Sequence, residues 1–471
     1  MANIRYVCIS DMHFGAANSV LTNLGRGDDA VDPSVPSDVL IQLINCLRAL
    51  IAENAMDIKP TLILNGDIFE FALSTDNLAA MAFQRFLELA MPRAKNDRLF
   101  APKIVYIPGN HDHHLWESAR EIQYANFLTT IPSEQFVEEP WHTTKMIDPT
   151  DVPSLFADAV VRRCDWLSDV SVMTVYPNLA IIGDTKLIVF THGHFTEEIY
   201  SLMSTLADTM FPERARPTTT HQWEAENFAW IDFFWSTMGR SGPVGPDVEL
   251  IYEMMQDPNK FGGFVGETAS TLMKMYGGGF GRHFGWVLAI LVRSMVAGRL
   301  ERAQPKKELS DDGAGLRRYL QVPVLGQLKE ELNGRSVSED ISVVFGHTHK
   351  PFQQMMKMEN FFAPYIRVYN SGGWVVDRPR PQSLYGGAVI LLDEHLDAVS
   401  LRMYNESEQS TDYSVAVGAA GPPPNSPSLF FSQINSLVKP QSSPWSDFSK
   451  AVAAAVVAHT RKLAAALSKG S

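Results

Sequence analysis

A chain of 471 residues with 45% hydrophobic and 20% charged residues is long enough for one large domain with insertions or for two to three ordinary ones, and this composition excludes a disordered or fibrous class. The formal net charge of -13 argues against a nucleic-acid backbone as principal partner but leaves nucleotides and phosphorylated small molecules open. Cys8, Cys46 and Cys164 form an odd trio without CxxC spacing, which fits small buried thiols in a reducing compartment.

The opening stretch "MANIRYVCISDMHFG" has neither a long apolar region nor a small-residue cleavage site, so a cytoplasmic location is expected. Its apolar part reads as a strand that runs into the polar cluster Asp11 and His13. "SDVLIQLINCLRALIAENAM" follows, an amphipathic helix with Ser37 as its cap. The next strand, "TLILNGD", is apolar from Leu62 to Leu64 and ends in Asp67, with Glu70 three residues on. A second helix is expected over about 77–94. Then "KIVYIPGNHD" runs into Asn110, His111 and Asp112, "KLIVFTHGH" into His192 and His194, and "ISVVFGHTH" into His347 and His349. "IRVYNSGGW" is a further strand, and "YGGAVILLDEHLDAVSLRMY" has the form of an antiparallel hairpin.

Strand, helix and strand with polar clusters at the strand ends is an α/β pattern. In open α/β sheets ligands bind outside the carboxyl ends of the strands, so the clusters are expected to share one crevice. Residues 197–340 break this rhythm with mainly helical signals and the aromatic stretch "WEAENFAWIDFFWSTM", and read as a helical insertion or cap. Within it "GWVLAILV", cut off by Arg293, is too short to span a membrane and is expected as a buried helix, with a peripheral membrane contact as the alternative. Residues 415–471 read as a Pro/Ser-rich linker followed by an alanine-rich helix near 446–468.

Taken one at a time, each cluster has a bland explanation: an Asx turn, a helix cap or a surface histidine. Together they repeat one device, an apolar strand that releases Asp, Asn or His into a glycine-containing turn. Mixed imidazole and carboxylate groups suit Mn, Fe, Zn, Co or Ni better than a purely oxygen-lined Mg or Ca site. The absence of cysteine from the clusters argues against structural zinc. Asp11, His13, Asp67, Asn110, His192, His347 and His349 are too many for one tetrahedral ion, and suffice for two ions that share a carboxylate.

In this order, "DMH", "GD", "GNHD", "THGH" and "GHTH" resemble the calcineurin-like metallophosphoesterase superfamily. The resemblance implies a layered β-sheet core flanked by helices over 1–196 and 341–414, with the insertion outside the pattern. It implies that Asp11, His13, Asp67 and His349 bind one metal and that Asp67, Asn110, His192 and His347 bind the other, with Mn the leading ion. A metal-bridging hydroxide would then hydrolyse a phosphomonoester or phosphodiester. His111 would contact the phosphate and protonate the leaving oxygen, and Glu70 would orient it, although a helix N-terminal acid is an equal reading of Glu70. Asp112 would then be a turn residue, though it competes for that orienting role. His194 is a candidate support for the metal ligands, and His113 and His114 are candidates to line the substrate mouth.

"GDIFEF" and "GHTHKP" resemble most closely the UDP-2,3-diacylglucosamine pyrophosphatase subgroup. That subgroup commonly carries arginine where this chain has His111, so a nucleotide-sugar or lipid-linked pyrophosphatase stands as the second reading and a non-catalytic scaffold as the third. A phosphorylated small molecule is the expected partner, and the insertion offers a surface for oligomerisation.

Overall fold

The computed structural model describes residues 2–25, 31–55, 58–237, 306–336, 339–421 and 428–469. All six single strands expected from the sequence form, as β1 (Ile4–Ile9), β2 (Thr61–Asn65), β3 (Lys103–Ile107), β7 (Leu187–Thr191), β8 (Ile341–Phe345) and β10 (Tyr365–Ser371). The hairpin forms as β11 (Gly386–Asp393) and β12 (Ala398–Asn405). The remaining strands are β4 (Val152–Pro153), β5 (Ser171–Thr174), β6 (Asn178–Ile182), β9 (Pro351–Lys357) and β13 (Ala416–Gly418).

They make two sheets, one ordered β13-β12-β11-β1-β2-β3-β5-β4 and the other β6-β7-β8-β10-β9. The centre of the first is parallel, β1 with β2, β2 with β3 and β3 with β5; so is the centre of the second, β7 with β8 and β8 with β10. The strands are apolar on both faces because both faces are covered. Val7 and Ile9 of β1 and Leu62 and Leu64 of β2 point to the helices, while Cys8 and Ile63 point to the second sheet. From that sheet, Val344 of β8 meets them, and Ile341, Val343 and Phe345 face outward to the insertion. Two sheets face to face with helices outside is the layered α/β core expected.

Ser37 caps the helix Asp38–Ile51 by accepting from Leu40 N, and the second helix runs Asp76–Ala90. The described part of the insertion is helical: Leu202–Met210, Thr220–Ile231 and Leu325–Leu332, with a π-type turn over Asp232–Thr237 and another over Leu320–Val324 that contains Pro323. Proline removes a backbone donor, which accounts for the second irregularity. "GWVLAILV" and the glycine-rich joints "GRSGPVGP" and "MYGGGFGRHFG" lie outside the described residues.

The tail differs from a linker with one appended helix. Ala416–Gly418 pairs antiparallel with β12, and a further helix, Leu429–Leu437, precedes the long one at Trp445–Lys469. Phe430, Ile434, Trp445, Phe448, Val452 and Val456 belong to the same core as the helix Asp38–Ile51. The physical reason is the spacing of those apolar residues, which gives both tail helices a stripe to bury. No described helix is long and apolar enough to cross a membrane.

Candidate metal centre

The carboxyl ends of β1, β2, β3, β7 and β8 lie together, and the turns after them carry every metal-ligand candidate. Hydrogen bonding between the first two turns continues beyond the strands: Asp11 N donates to Gly66 O at 2.9 Å, His13 N to Asp67 O at 2.9 Å and Phe14 N to Ile68 O at 2.8 Å. This ladder sets Asp11, His13, Asp67 and Glu70 in register. Asp11, His13, Asp67, His347 and His349 all have left-handed backbones, with φ of 51°, 45°, 52°, 68° and 58°. Such conformations cost about 1–3 kcal/mol each for residues with a Cβ and persist where the surroundings enforce them. Two glycines show how close the approach is: a Cβ on Gly66 would strike the His192 ring, and one on Gly109 would strike Asp67 Oδ1.

Three overlapping groups result, Asp11, His13 and His349; His13, Asp67 and His111; and Asp67, His192 and His347. In each group the potential ligand atoms lie within 4.8 Å of one another and all the residues are buried. Asp67 Oδ2 is 3.2 Å from His192 Nε2 and 3.8 Å from His13 Nε2, so one oxygen faces histidines from both sides. Its other oxygen accepts the His111 amide at 2.8 Å. Asn110 Oδ1 sits 3.1 Å from His192 Nε2, and its Nδ2 has no hydrogen-bond partner among the described residues.

Glu70 and Asp112 differ in that Glu70 lies on two histidine rings, although its Oε1 also accepts the Ala72 and Leu73 N–H groups, both at 2.9 Å. Glu70 is buried, with Oε1 2.8 Å from His111 Nδ1 and Oε2 2.7 Å from His13 Nδ1. Asp112 instead accepts backbone N–H groups from Asp67, Ile68, Phe69 and Gly109 at 3.2, 2.7, 3.2 and 2.6 Å. It holds the Asp67 turn and does not orient His111. His113 departs from the expectation that it lines a mouth: it is fully buried, 2.8 Å from Glu224 Oε1 and 3.3 Å from Asp232 Oδ1 of the insertion. Its neighbour His114 is partly exposed, 3.5 Å from Asp232 Oδ1. His194 packs among Tyr176, Phe195, Tyr200 and the His192 ring.

The profile of the calcineurin-like phosphoesterases matches residues 4–247, more than half of the chain. The chain belongs to the calcineurin-like phosphoesterase family. No curated protein matches it. The solved phosphopantetheinyl hydrolase from Mycobacterium tuberculosis is 15% identical, over 79% of this chain and 90% of that one, with a TM-score of 0.23, a likeness too slight to bear on chemistry. Calcineurin-like phosphoesterases depend on metal, and the buried His and Asp groups of this member are a donor set that can hold it.

Two further observations show that the donors fit a cation. Glu70 engages Nδ1 of His13, and Asp377 Oδ2 lies 2.7 Å from Nδ1 of His349. Neutral imidazoles that give their single proton to those carboxylates leave two Nε2 lone pairs facing each other at 3.2 Å, an arrangement that asks for a positive charge beside them. Electrostatics agree. Burial alone would raise the Asp67 carboxyl, but His192, His111 and His13 hold it well below its usual range; burial would lower His192, but Asp67 and Asp11 raise it to about 9.

Asp377, Glu197, Glu224 and Asp232 escaped the sequence reading. Glu197 Oε1 lies 3.4 Å from His347 Nε2, an ion-pair distance. None of the four sits in a histidine-bearing motif. The one signal for Glu224 was an acid inside an aromatic helical stretch, which reads equally well as a solvated face.

Proposed function

We propose that the protein is a metal-dependent phosphoric ester hydrolase that holds two divalent ions, one by Asp11, His13, Asp67 and His349 and the other by Asp67, Asn110, His192 and His347. The observation that supports this most is the opposed pair of Nε2 atoms of His13 and His349, 3.2 Å apart, each ring with a carboxylate behind it. When bound, such a pair of ions activates water and offsets charge on the phosphoryl oxygens. Asp67 faces both ligand groups through Oδ2 and is the shared ligand in this reading.

The protein's own groups carry the rest. With Nδ1 engaged by Glu70, His111 would deliver a proton through Nε2 to the leaving oxygen, and Glu70 favours the imidazolium that does so. Four backbone donors on Asp112 fix the Asp67 turn, so the geometry is set before substrate arrives. The substrate class that fits is a small phosphorylated molecule, as monoester or diester, and manganese is the ion proposed first, with iron, zinc, cobalt and nickel as alternatives that this mixed donor set also accepts.

The test is hydrolysis of p-nitrophenyl phosphate and bis(p-nitrophenyl) phosphate by the full chain after chelation and after return of Mn(II). Turnover that vanishes on chelation and returns with manganese is expected, and the preferred ester assigns monoesterase or diesterase. Two ions bound with no turnover of either ester or of a pyrophosphate would make the protein a scaffold.

A further inference from the structure

After β10 the chain crosses back over the turn that follows β1. Trp374 N donates to Asp11 O at 3.0 Å, Val20 N donates to Trp374 O at 2.8 Å, and Val376 N donates to Asn18 O at 2.9 Å. Backbone bonds at Trp374 and Val376, independent of the Asp377 side chain, therefore tie this segment to 11–20. Within that segment a Cβ on Gly373 would lie 2.6 Å from Cγ and 2.7 Å from Cδ2 of His349, so the main chain packs directly against the imidazole with no room for a side chain. Two side-chain contacts then place Asp377: Oδ2 is 2.7 Å from His349 Nδ1, and Oδ1 is 3.4 Å from Asn18 Nδ2. The Asp377 side chain is 5% exposed and the His349 side chain 1%, which shields their contact from water.

A neutral imidazole has one N–H, and whichever nitrogen donates leaves the other as the lone-pair atom. Nδ1 of His349 lies 2.7 Å from the Asp377 carboxylate and Nε2 lies 3.4 Å from the Asp11 carboxylate, so the shorter contact keeps the proton on Nδ1. The Nε2 lone pair then faces Asp11 Oδ1, 3.4 Å from Nε2, and His13 Nε2, 3.2 Å from it. A charged acceptor behind a ligand histidine also raises its basicity, and loss of such a partner typically costs about 10–100-fold in metal affinity.

We propose that Asp377 is a positioning residue for His349, which holds the ring in the Nδ1–H tautomer and sets Nε2 as its ligand atom. Glu70 stands in the same relation to His13, so the two rings on this side of the site are each backed by an acid from a different segment. The sequence "WVVDRP" around Asp377 carries no motif; only the return of the chain after β10 brings this acid to the centre. The ion-binding arm of the test rests on the metal-centre reading, and the tautomer arm stands without it.

The experiment compares wild type, Asp377→Ala and Asp377→Asn as full chains. In metal-free protein at pH 8, long-range proton–nitrogen spectra of labelled histidines, assigned with His349→Gln, report the tautomer. His349 is expected as Nδ1–H in wild type and in Asp377→Asn, whose amide oxygen still accepts, and as Nε2–H or a mixture in Asp377→Ala. Titration with Mn(II) should show one of two ions weakened about 10–100-fold in Asp377→Ala, with Asp377→Asn between it and wild type. Because backbone bonds hold the segment, metal-free thermal unfolding reports whether the alanine variant has kept its fold. A wild-type His349 in the Nε2–H form overturns the proposal, as does a folded Asp377→Ala with unchanged tautomer and unchanged affinity. A wild type that takes up no manganese overturns the two-ion reading instead, and the tautomer result still decides Asp377.

Discussion

The sheet edge and the insertion wall the same site by different physics. On the sheet side, backbone geometry places the chemistry: five site residues sit in left-handed conformations, and the turns after β1 and β2 are laced together by main-chain bonds. On the insertion side, side chains reach across. Glu224 meets His113 at 2.8 Å and accepts from the Tyr176 hydroxyl at 3.0 Å; Ser236 Oγ accepts from His114 N at 2.9 Å and donates to His111 O at 3.3 Å. The first wall is made of local motifs on a rigid support; the second is a set of buried polar contacts that exist only once the insertion has docked. The contrast teaches that the loop carrying His111 is gripped from both sides, with the candidate ligands on one wall and side-chain restraint on the other.

This division can be broken experimentally. The largest effect is expected from Asp67→Asn on the sheet side. It should disturb both ions and lower kcat/KM by about 10³-fold or more, the order found when a key electrostatic group is removed from a preorganised site; metal analysis and turnover check it. Next comes His111→Ala, which should keep the metal content yet lower turnover by about 10²–10⁴-fold, most for poor leaving groups. A loss equal for all leaving groups, read from a series of substituted phenyl esters, would remove His111 as the proton donor.

On the insertion side, Glu224→Ala should act first on stability. It leaves His113 buried without its closest acid, and breaking a buried pair typically costs about 3–5 kcal/mol. Thermal unfolding should fall markedly while the number of bound ions holds. If metal content fell instead with stability unchanged, the two walls would not divide the work as described.

The smallest effect is a pH dependence. Burial pulls the His113 pKa down, but the bonds to Asp232 and Glu224 and their charges raise it to about 9 from an ordinary 6.5. A folded-state value above the unfolded one means that the stabilisation is fully present below about 6.5 and is lost as pH rises through about 9. Thermal stability of metal-free protein should therefore decline over that window, and His113→Gln should decline less. An equal slope in both would show that the pair does not titrate with folding.

The same contrast explains what could be read in advance. Apolar runs that end in Asp, Asn or His are local, so β1, β2, β3, β7 and β8 and all seven ligand candidates were visible, as was the layered α/β class that the family match bears out. The left-handed backbones at Asp11 and Asp67 were not visible, because nothing about an aspartate announces a positive φ. Glu70 was ambiguous until both of its oxygens were seen on histidines, and Asp112 resolved the other way, onto backbone amides. Glu224 and Asp377 depend on chain returns across more than 100 and about 30 residues respectively, from His113 and His349, which no periodicity encodes. In the tail, Ala416–Gly418 is too short to stand out beside a proline-rich stretch, and only its pairing with β12 makes it a strand.

The most direct test of the central claim is a crystal structure of the full chain loaded with Mn(II), with anomalous scattering to locate the ions. Two peaks are expected, one among Asp11, His13, Asp67 and His349 and one among Asp67, Asn110, His192 and His347, with Asp67 touching both. A single peak, or peaks that Asp67 does not share, would contradict the two-ion centre.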